Sequence, residues 1–153
     1  MGYGPNGNTA ADDPEAVVLD ASVALTWFLN ATAEQSRYAD NIAALIDRDA
    51  PACVVPGLWH IEVGSRLISW QRAKELSRIQ LQDALAKLGR LTIETHHHAY
   101  DPREIVQLAQ RYQLAGYDAV YIDLSQRLQL PLATLDKGMR TACVRYGVEL
   151  LTV

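Results

Sequence analysis

From residue 16 onward the chain alternates short apolar runs with longer amphipathic stretches. AVVL at 16–19 is β-branched and uninterrupted, the pattern of a strand buried on both faces, and it ends at Asp20. Ser22 then stands where it would cap a helix beginning VALTWFL. Residues 34–49 carry Tyr38, Ile42, Leu45 and Ile46 at the spacing of an amphipathic helix. ACVV (52–55) predicts a second buried strand, stopped by Pro56. A long helical stretch follows, with Leu58, Ile61, Leu67 and Ile68 on related faces, and after Lys74 another helix runs through Leu81, Leu85 and Leu88.

Gly89 ends that helix, and LTIET (91–95) predicts a third strand. Asp101-Pro102 is an N-cap followed by proline at the first helical position, and the helix it opens places Ile105, Leu108, Ala109 and Tyr112 on one side. Another helix starts near Asp118 and stops at Leu130-Pro131. LATL (132–135), a helix over 137–146 and VELLTV (148–153) complete the pattern. Five short buried strands joined by helical crossovers predict a three-layer α/β/α fold on a mainly parallel five-stranded sheet.

Residues 1–15 hold three of the nine glycines and two of the six prolines without apolar periodicity, so a flexible tail is expected there, with the folded domain over 16–153. Hydrophobic residues make up 49% and charged residues 21%, which suits an ordinary globular domain and not a disordered one. No apolar run reaches the roughly 18 to 20 residues of a membrane span, and no secretory signal pattern is visible. Cys53 and Cys143 lie in apolar surroundings and read as buried free thiols, which suits a cytoplasmic location. A net charge of −4 argues against wrapping nucleic acid through bulk basic charge, but leaves room for a nuclease built on carboxylates.

The acids become informative once they are set on the strands. Asp20 follows strand one and Asp136 follows LATL. Asp118 falls in the first turn of the helix feeding that strand, and Glu62 in the first turns of the helix after strand two. All four are expected at the carboxyl edge of the sheet, where α/β sites form near a topological switch point. Clustered carboxylates repel unless cations occupy the site, and Mg²⁺ or Mn²⁺ suits hard oxygen ligands. Such ions activate water toward phosphorus, and no protein nucleophile is required. Taken singly, Asp20, Asp118 and Asp136 also read as helix caps, and Glu62 as an i,i+4 partner of Arg66.

At these residues the chain resembles the PIN-domain family, and within it the VapC-type toxins of bacterial toxin–antitoxin pairs. The matching segments are VVLDASVAL (17–25), PGLWHIEVGSRL (56–67), LAGYDAVYIDLSQRLQLPLATLDKGMR (114–140) and GVELLTV (147–153). The resemblance implies a Mg²⁺- or Mn²⁺-dependent endoribonuclease with Asp20, Glu62, Asp118 and Asp136 as catalytic and metal-holding residues. Thr134 matches a small polar position that supports the last acid or a metal-bound water, and Ser22 stands beside Asp20 in a similar role. Such toxins cut structured RNA such as transfer or ribosomal RNA, form homodimers, and are silenced by a cognate antitoxin. A PIN-like RNA- or protein-binding module without catalysis is the alternative. A phosphotransfer protein is disfavoured, because Asp20-Ala21-Ser22 lacks a second aspartate two residues on.

Asp123 departs from the resemblance, which has a small apolar residue there. It lies about 140° round the helix from Asp118, so an i,i+4 pair with Arg127 is expected and Asp123 stays outside the site. Lys137 and Arg140 follow the last acid near a helix start, where a cation opposes the helix dipole. They read either as RNA-phosphate ligands or as solvated charges. His96, His97 and His98 read as a solvated turn, and His60 is expected to face away from Glu62. Trp59 reads as core or a subunit contact, with base stacking as the other option, and Trp27 and Trp70 as core or subunit contacts. Tyr117 and Tyr121 flank Asp118 and could stack on a base or pack.

Overall fold

The computed structural model describes residues 14–29, 31–47 and 52–153. The expected tail over 1–15 therefore lies outside the described residues except for Pro14 and Glu15, as does the end of the helix expected over 34–49. Among the described residues four parallel strands form one sheet: β1 (Ala16–Leu19), β2 (Ala52–Pro56), β3 (Ile93–His96) and β4 (Leu132–Ala133), in the order β3-β2-β1-β4. The chain moves outward from β1 to β3 and then returns to the opposite side of β1. That reversal puts a topological switch point between β1 and β4.

Among the described residues seven helices cover the sheet: α1 (Ala21–Thr26), α2 (Ala33–Ile46), α3 (Gly57–Arg72), α4 (Arg78–Leu88), α5 (Pro102–Tyr112), α6 (Gly116–Leu128) and α7 (Lys137–Tyr146). They fall into two packed groups. α1 contacts α2 and α3, and α3 contacts α4. α6 contacts α5 and α7 and lies against β1, β2 and β4. The result is the three-layer α/β arrangement that the alternating pattern predicts. Val17, Val18, Leu19, Cys53 and Val55 are sealed between the helical layers, which is why these strands carry no polar face.

The fifth strand does not form as expected. Residues 148–153 contribute one isolated parallel bridge, Leu132 to Leu150, with Leu132 N–H donating to Glu149 O and Leu151 N–H to Leu132 O. The reason lies in β4, which is only two residues long before Thr134 turns its hydroxyl to the site. The segment then anchors to α2 through Tyr38, whose hydroxyl donates to Leu151 O at 2.7 Å. Apolar content alone could not distinguish this strap from a strand.

Local signals account for most helix limits. Thr32 and Gln35 form a reciprocal capping box on α2, and Ser77 and Gln80 form another on α4. Asp101 accepts from Glu104 N–H ahead of Pro102. On α3 the buried stripe is Trp59, Val63 and Leu67, whereas Ile61 is 70% exposed, so the apolar face is narrower than the sequence suggests. Trp27 is fixed by its indole N–H donating to Ala39 O at 2.8 Å, and Trp70 packs against the core. Cys53 and Cys143 are free and buried, and burial pushes their thiols up to about 12 and about 11. Among the described residues no helix is long and apolar enough to cross a membrane.

Candidate active site

Strand pairing brings the first components together. β1 and β4 are neighbours with Leu19 opposite Ala133, so Asp20 and Thr134 emerge side by side, and Asp20 N–H donates to Ala133 O at 3.0 Å. Asp20 is the N-cap residue of α1 by backbone conformation, yet its side chain makes no capping bond. Its Oδ2 instead accepts from Ser22 Oγ at 2.5 Å and Thr134 Oγ1 at 2.8 Å. Ser22 is thus inside α1 and does not cap it. Its hydroxyl supports the carboxylate and accepts from Leu135 N–H.

Thr134 is fully buried and links two acids. Its hydroxyl donates to Asp20 and accepts from Asp136 N–H at 3.1 Å. Asp136 caps α7, with Oδ1 accepting from Met139 N–H at 2.8 Å, so its capping reading is correct for one of its two oxygens. Asp118 occupies the first turn of α6 without any capping bond. Glu62 makes no ion pair with Arg66 among the described residues. Its Oε1 accepts from Tyr121 at 2.8 Å.

Burial and neighbouring charge act on three of these acids. Burial pushes the Asp20 carboxyl up and Asp136 adds to this, while the Ser22 and Thr134 hydroxyls oppose it. Burial likewise raises Glu62, with Asp20 and Asp118 contributing and the Tyr121 hydroxyl opposing. Asp118 is pushed up to about 6 by burial, Asp136 and Asp20. Partial desolvation with like charges nearby is the state in which a cation is most strongly favoured. The donors are hard carboxylate oxygens, which fit Mg²⁺ or Mn²⁺. Among the described residues no three His, Cys, Asp or Glu side chains close around a single metal position. Magnesium, which keeps several of its waters and needs few protein ligands, is compatible with so open a set.

Tyr121 flanks Asp118, a position from which its ring could stack on a base or pack. It is fully buried, so stacking on a base is excluded, and its hydroxyl orients Glu62. Burial, Asp20 and Glu62 all push that hydroxyl's pKa far up, which keeps it a donor. The available signal was its position three residues after Asp118, on the same helix face. Tyr117 is 71% exposed.

Other candidates sit elsewhere. Asp123 is buried, with Oδ2 accepting from Arg127 Nε at 2.7 Å and Tyr100 at 3.1 Å, so it lies outside the quartet as expected. Trp59 is buried at 3% exposure, which removes the base-stacking option. His60 faces β3, its Nε2 2.8 Å from Thr95 Oγ1. His98 is not a free turn residue: its Nε2 lies 2.8 Å from Glu104 Oε1, which also meets Arg127. Lys137 is exposed at the start of α7, and Arg140 lies with its guanidinium 5.2 Å from the centre of the Tyr38 ring.

Fold and rim together define an α/β protein with a carboxylate edge at its switch point. Residues 17–144 match the PIN domain, so the chain belongs to the PIN-domain family. PIN domains are generally nucleases that work with divalent metal ions. The crystal structure of PAE2754 from Pyrobaculum aerophilum is similar at a TM-score of 0.54 and 18% identity, covering 86% of this chain and 87% of that one. The similarity extends to the fold. No curated protein matches the chain.

Proposed function

We propose that the protein is a Mg²⁺- or Mn²⁺-dependent endoribonuclease acting as the toxin of a toxin–antitoxin pair. The observation that supports the nuclease reading is that Asp20, Thr134 and Asp136 meet at the β1/β4 edge while Tyr121 of α6, the helix that carries Asp118, holds Glu62. Asp20, Glu62, Asp118 and Asp136 would hold the cation, and Ser22, Thr134 and Tyr121 keep the first two carboxylates oriented. A divalent cation there supplies charge stabilisation for the phosphodiester and makes water acidic enough to attack phosphorus. The residues of the chain contribute position: two hydroxyls fix one oxygen of Asp20, and capping commits one oxygen of Asp136. Water's oxygen joins phosphorus, a P–O bond breaks, and the proton released passes to solvent or the rim while the leaving oxygen gains one.

RNA as substrate and the toxin role rest on the sequence resemblance, as do homodimer formation and a cognate antitoxin. One observation favours the rival reading, a PIN-like binding module without catalysis: no three acids close on one metal position among the described residues. Purified protein incubated with RNA should cut it in the presence of Mg²⁺ or Mn²⁺, stop on addition of EDTA, and be inactive as Asp20→Asn. Cleavage that persists in EDTA would contradict the mechanism, and RNA binding without cleavage in either metal would favour the rival. Growth arrest on expression, relieved by a small neighbouring gene, tests the toxin role.

A further inference from the structure

A cavity of about 550 Å³ opens between α2, α7 and the last residues of the chain. Its walls include Arg37, Tyr38, Leu135, Lys137 and Arg140, with Glu34 as the one acidic side chain and Val153 beside it. Leu135 and Lys137 flank Asp136 in sequence, so the cavity begins where the carboxylate rim ends. Three cationic side chains against one acidic side chain is the reverse of the protein's net charge of −4. Among the described residues, none of Arg37, Lys137 and Arg140 has a carboxylate within 4 Å.

The site is also built. Arg140 is tied to Asp136 through its backbone, N–H to O at 2.9 Å, and its guanidinium lies over the Tyr38 ring. Tyr38 is itself pinned by its bond to Leu151 O. Arg140 Nε is buried without a hydrogen-bond partner among the described residues, and buried donors are rarely left so. A guanidinium backed by a ring keeps its edge for bidentate contact with a phosphate.

We propose that this cavity holds a backbone phosphate of the RNA strand adjacent to the one being cut, gripped by Arg37, Lys137 and Arg140. The proposal rests on the nuclease reading and deepens it: divalent cations would serve the scissile phosphate, and side-chain cations would fix the register of the strand. An acidic protein segment would satisfy the same charges. The position beside Asp136 favours RNA.

The test is fluorescence anisotropy of a labelled single-stranded RNA across a salt series, in an Asp118→Asn background so that the probe is not cut. Each of Arg37→Gln, Lys137→Gln and Arg140→Gln should weaken binding and flatten the slope of log affinity against log salt by about 0.7. The triple variant should flatten it by about 2. Arg140→Lys should keep the slope and still bind more weakly, whereas Lys87→Gln on α4 should match the parent. Should Arg140→Gln fail to fold, the exposed Arg37 and Lys137 decide the matter. An unchanged slope in the triple variant, with the parent still binding RNA, overturns the cavity assignment and leaves the nuclease reading intact. Unchanged RNA binding with loss of oligoglutamate binding assigns the cavity to an acidic protein segment and also overturns it. A parent that does not bind RNA, together with a wild type that neither binds nor cuts it, overturns both.

Discussion

Asp118 shows what the site costs when no cation is present. Its carboxyl is pushed from 3.8 up to about 6, so the folded form keeps its proton where the unfolded chain has lost it. The native state binds more protons between about pH 4 and 6, so stability falls as pH rises through that window and the full penalty persists above it. In the absence of metal, Asp118→Asn should therefore raise the Tm at pH 7.5 by about 3–5 °C, with the gain vanishing near pH 4. Thermal melts at the two pH values check this. Thr134 presents the opposite case. Thr134→Val keeps the shape but removes the hydroxyl shared by Asp20 and Asp136 N–H, and should cost about 1–3 kcal/mol. Metal affinity or cleavage should fall by about 10–100-fold, with Thr134→Ser restoring most of it. Denaturant unfolding and metal titration of the two variants measure both effects.

At the scale of elements, the sheet edge depends on how α6 is seated, because α6 carries both Asp118 and Tyr121. Gly116 begins this helix where a Cβ would stand 2.6 Å from Ile105 Cγ2 on α5. Ile105 is β-branched and stiff, so it cannot readily yield. Gly116→Ala should destabilise the fold by about 1–3 kcal/mol and lower activity by shifting Asp118, measurable by chemical unfolding alongside cleavage. Much of the element plan was legible in the sequence. AVVL and ACVV announce two-side-buried strands, and Asp101-Pro102 marks the start of α5 within one residue. The alternation also located Asp20, which follows β1 directly, and Asp136, although β4 ends at Ala133 and not at Leu135 as LATL suggests. Less legible was whatever depends on a distant partner. VELLTV looks like a strand but meets only Leu132, since β4 is too short to pair with it further. Ser22 resembles a cap, yet the neighbouring carboxylate and Leu135 N–H draw its hydroxyl into the site. Tyr121 gave no sign of Glu62, a residue 59 positions away in the chain.

For the whole molecule, the arrangement divides labour by charge. The proposed cation site on the carboxylate rim adjoins the proposed phosphate cavity of Arg37, Lys137 and Arg140, so one phosphate-rich strand with divalent ions would satisfy both. Neither region depends on the net charge of −4, which explains why bulk composition said so little about substrate. The central claim is that the rim of Asp20, Glu62, Asp118 and Asp136 holds divalent cation. The most direct measurement is Mn²⁺ binding, followed by electron paramagnetic resonance, in the wild type and in Asp20→Asn, Glu62→Gln, Asp118→Asn and Asp136→Asn. Binding should be lost in Asp20→Asn and Asp118→Asn, weakened in the other two, and weakened in the wild type as pH falls through about 6. Equal Mn²⁺ affinity in the wild type and all four variants would contradict the account.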